Sequence, residues 1–328
     1  MRKLLLGTTA LAAAATLTTN AALAEFSIAG SYEFKYLSRS STDAVNDGTS
    51  YAHGDTDIVM NFVKKTDDGL TLTYRYDFGH AIADEGSQDV DEASLTIAGG
   101  FGTIVLGQDD DASDTYNQDE MDLIAEEPAI SLISASISSS SSVTSTDALK
   151  IAYHLPAMGG LTAGISHADS GNAGTSDITS MGAKYSMDAG GAGITLSYAT
   201  RQTDDATKDI DDSSMGVKIT SGDVTLLVSQ GSYEADDEDR ENMGAAVSFA
   251  MGNGMTLGAF TFKSEDDLDV GEEYTAAGAE VQYSISSGLT AVLTVIDYEY
   301  KATASNHEQT APGADSGTAT QLTIKATF

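Results

Sequence analysis

The side chains best suited to chemistry lie in one acidic segment, residues 109–127, which holds nine carboxylates in 19 residues. Clustered carboxylate oxygens are the ligands that hard cations such as calcium prefer, and they also create a strong local negative field. The seven candidate site residues in this segment are Asp109, Asp110, Asp111, Asp114, Asp119, Glu120 and Asp122. The alternative interpretation is a solvated loop whose acidic residues serve only solubility.

The triplet Asp109, Asp110 and Asp111 is our candidate for a calcium site. The chain contains neither the EF-hand pattern nor the Gly-Gly-x-Gly-x-Asp repeat of other calcium-binding proteins. Diffuse screening by counterions is therefore the alternative. No other cofactor is expected.

Catalytic chemistry has little support in the sequence. The chain has no Cys, which excludes a disulfide scaffold, a thiolate zinc site and a cysteine nucleophile. The His residues occupy neither a metal-ligand spacing nor a Gly-x-Ser-x-Gly setting; they are His53, His80, His154, His167 and His307. We therefore do not expect an enzyme, although a Ser and a His that meet only in the folded chain stay open as an alternative.

The charge of the chain is strongly negative, with 50 acidic against 16 basic residues and a formal net charge of -34. Such a chain repels polyphosphate, so nucleic acid is not an expected partner. Gly, Ser, Thr and Ala dominate the composition, which suits short strands joined by turns.

The N-terminus has the pattern of a signal peptide. A basic start precedes an apolar and small-residue stretch, and residues 22–24 give the small-x-small pattern of a cleavage site. We predict cleavage after Ala24, which divides the chain into a signal peptide, residues 1–24, and one mature domain, residues 25–328. An uncleaved N-terminal membrane anchor is the alternative.

A short phrase of Gly, a large aliphatic residue and Thr recurs along the mature chain. Each copy follows turn-forming residues, and the turns begin near residues 66, 99, 156, 187, 220, 251 and 285. A period near 32 residues fits two strands of about 10 residues, one tight turn and one longer loop. Seven turns pair 14 strands, and one strand at each terminus gives 16. One longer interval predicts a long loop near residues 109–146.

The predicted strands alternate apolar and polar side chains. In one strand, Tyr74 and Phe78 share a face, whereas Arg75 and Asp77 share the other. No stretch after residue 24 approaches the length of an apolar transmembrane helix. A chain that crosses a membrane with such strands must close into a barrel, because closure satisfies every backbone group. A soluble β-sandwich shows the same alternation and is the alternative fold.

Two further features favour the barrel. Aromatic residues gather near strand ends, as at Tyr74 and Tyr76 and at Tyr298 and Tyr300, which suits girdles at the membrane interfaces. An even number of strands lets the last strand, which ends at Phe328, pair with the first and remove both edges. The predicted fold is therefore an all-β, 16-stranded antiparallel transmembrane β-barrel.

Together these features resemble the trimeric general porins of Gram-negative bacteria, of the type found in Rhodobacter and related alphaproteobacteria. The resemblance rests on the signal peptide, the 16-strand meander with Gly-Leu-Thr turns, the long acidic third loop and the terminal Phe328. It covers the whole mature chain. It implies an outer-membrane location among lipid and lipopolysaccharide, a homotrimer, a water-filled pore and a third loop folded inward as a constriction. It also implies that the barrel-assembly machinery recognises the end of the chain at Phe328.

The resemblance gives the acidic segment a role as one wall of the constriction. The opposite wall would carry basic residues from the polar face of the strands: Lys35, Arg39, Arg75, Lys150, Lys184, Arg201, Lys218 and Lys325. Opposed charges across a narrow pore create a transverse field, and their net sign sets the ion preference. We expect passive diffusion of ions and small hydrophilic solutes, with a preference for cations. The alternatives are a substrate-selective channel and a non-channel acidic surface protein of the S-layer or adhesin kind.

Overall fold

The computed structural model describes residues 25–42, 47–54, 56–79, 89–126, 140–143, 145–169, 176–204, 209–235, 238–266, 272–301 and 314–328. The signal peptide predicted for residues 1–24 lies outside these described residues. Part of the predicted long loop, residues 127–139, also lies outside them.

The described chain is almost entirely β-structure. Its strands are β1 (Glu25–Ser41), β2 (Gly48–His53), β3 (Asp57–Lys65), β4 (Thr71–Gly79), β5 (Asp89–Gly99), β6 (Gly102–Gln108), β7 (Leu149–His154), β8 (Leu161–Ala168), β9 (Asp177–Ala189), β10 (Ala192–Asp204), β11 (Ile210–Ser221), β12 (Val224–Ala235), β13 (Glu238–Ala250), β14 (Met255–Asp266), β15 (Glu272–Ser286), β16 (Leu289–Lys301) and β17 (Asp315–Thr327). Between β6 and β7 lie a short helix, α1 (Ala112–Tyr116), and a 3-10 turn (Glu120–Leu123).

The sheet closes into a barrel. Strand β3 pairs with β1 from Glu25 to Gly30, and β2 pairs with β1 farther along, from Phe34 to Arg39. Strands β2 and β3 are therefore consecutive segments of one barrel strand. All other strands pair antiparallel with their neighbours in the chain, and β1 pairs with β17. The prediction of a closed, 16-stranded antiparallel barrel is confirmed.

The seven predicted tight turns all join consecutive strands. In two of them, Gly69 and Gly191 have φ values of 84° and 92°, a backbone conformation that residues with a β-carbon rarely adopt. Because consecutive strands run antiparallel, these turns share one end of the barrel and the longer loops share the other. The acidic segment belongs to the third of the longer loops, between β6 and β7.

The alternation along each strand separates an outward apolar face from an inward face. On β12, Val224, Leu226 and Val228 point outward with exposures of 43%, 42% and 45%, whereas Leu227 and Ser229 are buried inside. Other exposed outward residues around the barrel include Phe26, Phe62, Tyr74, Ile165, Leu196, Val217, Val247, Leu293 and Leu322. An apolar exterior on a closed barrel is the surface that lipid covers. Among the described residues, neither helical segment has the length and apolar character needed to cross a membrane.

The girdle prediction is wrong for Tyr298 and Tyr300, which lie inside the barrel with 2% exposure each. The outward positions of β16 are the odd-numbered ones, which alternate with Tyr298 and Tyr300 and include Leu293 and Val295. Inside, the Tyr298 hydroxyl donates to Asp315 over 3.0 Å, and the Tyr300 hydroxyl donates to Glu272. Both faces of this strand are rich in apolar residues, so the sequence pattern does not show which face points outward.

An apolar cluster fills part of the interior. Met121 and Ile124, from the loop, belong to the same buried cluster as Phe260, Tyr274 and Ile296 from the wall. Burial of these side chains away from water holds the loop against β14 to β16.

Changing Val295 to Lys tests whether the outward face contacts lipid. Val295 lies near the middle of β16 and is 43% exposed. A Lys at the bilayer midplane of a barrel costs about 2–4 kcal/mol. We therefore expect Val295→Lys to lower the free energy of unfolding by about that amount, measured by urea titration in lipid vesicles. Val295→Ala is the uncharged control, and equal stability of the two variants would contradict the assignment.

Candidate functional site

The described part of the third loop lies inside the barrel, along one side of it. Helix α1 contacts β7 to β10, and the 3-10 turn contacts β12 to β14. Within the described residues, neither segment contacts β1 to β6. The loop therefore follows one half of the inner wall and leaves the other half facing it.

The first anchor of the loop is the carboxylate of Asp111. Its Oδ1 lies 2.6 Å from Lys150 Nζ, and its Oδ2 lies 3.3 Å from Arg201 Nε. The side chains of Asp111 and Lys150 are 1% and 0% exposed. The Asp111 carboxylate also accepts a 3.2 Å hydrogen bond from the Thr146 amide, which belongs to the returning part of the loop. Asp111 thus joins both ends of the loop to the wall.

Helix α1 is seated on serine hydroxyls of the wall. The amide of Ala112 donates to Ser166 Oγ over 2.9 Å, and the amide of Ser113 donates to Ser180 Oγ over 3.1 Å. These are amides at the N-terminus of the helix, which have no partner within the helix itself. The wall therefore supplies the acceptors that a short helix lacks.

The second anchor is Glu120, whose side chain is fully buried. Its Oε2 accepts hydrogen bonds of 2.7 Å from the hydroxyls of Ser141 and Ser229, and its Oε1 accepts one of 3.2 Å from the Ser141 amide. The neighbouring Asp119 is also buried and caps the 3-10 turn by accepting from the Met121 amide over 2.9 Å. Several hydrogen-bond donors replace the water that a buried carboxylate loses. Glu120 therefore ties the two halves of the loop to β12.

The third anchor is Glu126, which reaches the seam between β1 and β17. Its carboxylate lies 2.7 Å from Lys35 Nζ and accepts a 3.1 Å hydrogen bond from the Gln321 amide group. Its backbone amide donates over 2.9 Å to Glu280 on β15, as does the preceding amide. Burial raises the pKa of the Glu126 carboxyl, and the ammonium of Lys35 partly opposes that shift. The first described stretch of the loop, residues 109–126, thus ends at the strands that close the barrel.

A row of glycines makes room for the loop, and sequence reasoning missed it. At each of these positions an added β-carbon would lie under 3.0 Å from atoms of the loop, so backbone and loop touch directly. The row crosses β8 to β14 at Gly164, Gly182, Gly216, Gly231, Gly244 and Gly258. A single Gly inside a strand often marks a close approach by another part of the chain. That signal was present in the sequence.

The other loop candidates are more accessible than the anchors. Asp109, Asp110 and Asp114 are partly exposed, and Asp122 is exposed. Among the described residues, Asp109, Asp110 and Asp111 do not together form a group of carboxylates close enough to hold a metal ion. Asp110 by itself belongs to such a group, with Glu92 and Asp147. Calcium binding by the triplet stays a prediction.

The remaining basic candidates occupy different places on the wall. Arg75 lies 2.5 Å from Asp77 and 2.8 Å from Glu92, on the half of the wall that faces the loop. Lys184 Nζ donates over 2.9 Å to the carbonyl of Thr115 in α1. Three further candidates, Arg39, Lys218 and Lys325, lie on β1, β11 and β17, and Lys325 forms an ion pair with Glu33.

Sequence reasoning also missed the acidic partners on the wall. Glu33, Glu92 and Glu280 are buried and bind basic side chains or loop amides. Arg240, another inward basic residue, lies over the ring of Tyr233 at 4.4 Å and pairs with Glu238 at 2.9 Å. Each is a charged residue at an inward position of an alternating strand, which is the signal that would have found it.

Comparisons with known proteins agree with this architecture. The family model described as Gram-negative porin matches residues 7–303. The anion-selective porin from Comamonas acidovorans is 15% identical, with a TM-score of 0.69 over 93% of this chain and 100% of that chain. OmpT of Vibrio cholerae in its trimer form is 12% identical, with a TM-score of 0.68 over 93% and 100%. A variant of the Rh. blastica porin is 17% identical, with a TM-score of 0.65 over 92% and 100%. No curated protein matches the chain.

Removing the Asp111 carboxylate tests the first anchor. Asp111→Ala leaves the buried ammonium of Lys150 without its carboxylate partner, and breaking a buried ion pair in this way costs roughly 3–5 kcal/mol. We expect a loss of that order in the free energy of unfolding, measured by urea titration. Asp122→Ala, which removes an exposed carboxylate of the same loop, is the matched control. Similar losses in both variants would contradict the anchoring role.

Proposed function

This chain belongs to the family of Gram-negative porins, and from that membership we propose that it forms a water-filled channel for ions and small hydrophilic solutes. Transport is by passive diffusion across the outer membrane. The observation that carries the proposal is the loop held inside a closed barrel by Asp111, Glu120 and Glu126. A loop fixed on one half of the wall narrows the passage without closing it.

A transverse field across the passage is part of this proposal. The loop side contributes the accessible carboxylates of Asp109, Asp114 and Asp122. The facing half of the wall contributes Arg75, whose side chain is 36% exposed although it also binds the buried carboxylates of Asp77 and Glu92. Opposed charges at a narrow point order water and favour small polar solutes over apolar ones.

We propose that the channel prefers cations. Five inward basic side chains are engaged by buried carboxylates; they are Lys35, Arg75, Lys150, Arg201 and Lys325. Their positive charge is therefore largely balanced within the wall, while the accessible loop carboxylates add negative charge to the passage. The structural relative from Comamonas acidovorans is described as anion-selective, and a cation preference would distinguish this chain from it.

We also propose a homotrimer. OmpT of Vibrio cholerae, a structural relative, is known in a trimer form. The outward face of β1 to β4 offers adjoining aromatic rings for such contacts. Ring centroids are 4.8 Å apart for Phe26 and Phe62, 6.2 Å apart for Phe62 and Tyr74, and 4.5 Å apart for Tyr76 and Phe78.

The remaining proposed partners belong to the outer membrane and its assembly. On the outward face, Asp211, Glu234 and Asp239 oppose one another on β11 to β13, and like charges in that arrangement are destabilising. Divalent cations that bridge them to lipopolysaccharide phosphates would relieve the repulsion. Phe328 is 80% exposed, with its backbone bound to Gly30, and is proposed as the mark that the barrel-assembly machinery recognises after signal cleavage at Ala24.

Channel formation is tested by reconstituting the purified, folded protein in planar lipid bilayers. We expect stepwise increases in conductance that remain ohmic in simple salts. A current that sugars or other solutes block competitively would favour a substrate-selective channel. Absence of steps from correctly folded protein would overturn the proposal in favour of a non-channel surface protein.

Cation preference is tested with a matched pair of triple variants. Asp109→Asn, Asp114→Asn and Asp122→Asn together remove three accessible loop charges, and we expect the reversal potential in a salt gradient to move toward anion preference. The control, Asp67→Asn, Asp188→Asn and Asp223→Asn, removes three exposed charges from the tight turns at the other end of the barrel. Anion preference in the wild type, or equal shifts in both variants, would contradict the proposed role.

A further inference from the structure

A second group of carboxylates lies on the wall of β3 to β5, outside the loop anchors. Asp57, Asp77 and Asp91 each place one carboxylate oxygen within 4.8 Å of the others. Each residue comes from a different strand, so the group joins three neighbours of the barrel. We propose that these three residues form a binding site for a divalent cation of the calcium class.

The first support is a buried oxygen that has no partner. Asp77 is 1% exposed, and its Oδ2 accepts a 2.5 Å hydrogen bond from Arg75. Its Oδ1 is buried without a hydrogen-bond partner among the described residues. A buried anionic oxygen of this kind is costly unless a positive group compensates it. A cation held with Asp57 and Asp91 would provide that compensation.

The second support is a backbone built to bring Asp91 into the group. The β4–β5 register passes from Asp77 opposite Glu92 to Phe78 opposite Val90, so Asp91 is an extra residue in the ladder. Such a bulge re-aims a side chain. The side chain of Asp91 lies over Gly79, where an added β-carbon would be 3.0 Å from Asp91 Cβ and 3.1 Å from Asp91 Oδ2.

The pairing of β4 with β3 places the third carboxylate beside the other two. Gly79 lies directly opposite Asp57 on β3. The side chain of Asp91 can therefore pass over Gly79 toward Asp57 because no side chain stands between them. A Cβ at this point would close the space that the three carboxylates share.

The guanidinium of Arg75 does not serve Asp77 alone. It is shared between Asp77 and Glu92, with contacts of 2.5 Å and 2.8 Å, so one positive charge serves two buried carboxylates.

The ligand chemistry favours calcium over magnesium. Calcium accepts about six to eight oxygen ligands in flexible geometry, whereas magnesium demands near-ideal octahedral geometry and keeps several of its waters. Three carboxylates held by separate strands suit the less strict ion. Water would fill the positions that the three carboxylates leave open.

The site is tested by calorimetric titration of the folded, chelator-treated protein with calcium chloride at fixed ionic strength. We expect one saturable site per chain in the wild type and weaker binding of magnesium chloride. Asp57→Asn and Asp91→Asn, at partly exposed positions, should each lose the site. Asp77 is left unchanged because it also holds the buried contact with Arg75.

A variant that keeps every charge distinguishes a specific calcium site from nonspecific electrostatic attraction of cations to the carboxylates. Gly79→Ala retains all three carboxylates but places a Cβ against Asp91, so we expect calcium affinity to fall at least tenfold. Gly193→Ala, where the nearest atom is 4.0 Å away, and Asp223→Asn are matched controls and should bind as the wild type does. Circular dichroism and the heat-dependent mobility of the folded barrel on gels verify folding of each variant.

Three results would overturn the proposal. The first is weak, unsaturable binding that all variants share, which would mean counterion screening only. The second is a calcium affinity equal to that of the wild type in both single variants, Gly79→Ala and Asp57→Asn. The third is a saturable site that survives Asp57→Asn and disappears in Asp110→Asn, which would assign the ion to the group of Glu92, Asp110 and Asp147. None of these measurements depends on channel activity, so this site and the proposed transport function can fail separately.

Discussion

The closure of β1 against β17 is the constraint on which the rest of the structure depends. A bilayer offers no hydrogen bonds to exposed backbone groups, so a β-protein that crosses it must pair every strand on both sides. The pairing runs from Ser31 with Thr327 to Ser41 with Gly317, and the backbone of Phe328 bonds to Gly30 in both directions. Closure also defines an inside, and only an inside allows charged side chains to lie at the depth of a membrane.

Inside the barrel, electrostatics takes the place of a conventional core. The acidic loop is held by three carboxylates, each of which binds several donors from the wall or from the returning part of the loop. Removing an acidic side chain from water is costly unless its partners surround it, and Asp111, Glu120 and Glu126 all satisfy that condition. These contacts fix the loop by sequence-distant partners, so the shape of the passage depends on the whole ring of strands. The apolar cluster around Ile124 supports the same position.

The two halves of the wall have different tasks as a result. Strands β8 to β14 carry the glycines and hydroxyls that receive the loop. Strands β3 to β5 carry Arg75 and a concentration of carboxylates that the loop turns do not touch. This division separates loop anchoring from the wall that faces the solutes.

The sequence by itself determined the strand count, the turns, the closure and the position of the long loop. Those features depend on local rules: turn residues at a fixed period, and side chains that alternate because a strand has two faces. The alternation failed as a guide only where both faces are apolar, as at Tyr298 and Tyr300.

The tertiary structure alone decided which charges anchor the loop and which remain accessible. Asp111 and Asp109 belong to the same acidic run, yet one is buried between Lys150 and Arg201 and the other is partly exposed. Adjacent carboxylates look alike in sequence, whereas their roles depend on partners that lie tens of residues away and meet them only when the barrel closes. The same reason hid the group of Asp57, Asp77 and Asp91, whose members come together through strand pairing and a bulge.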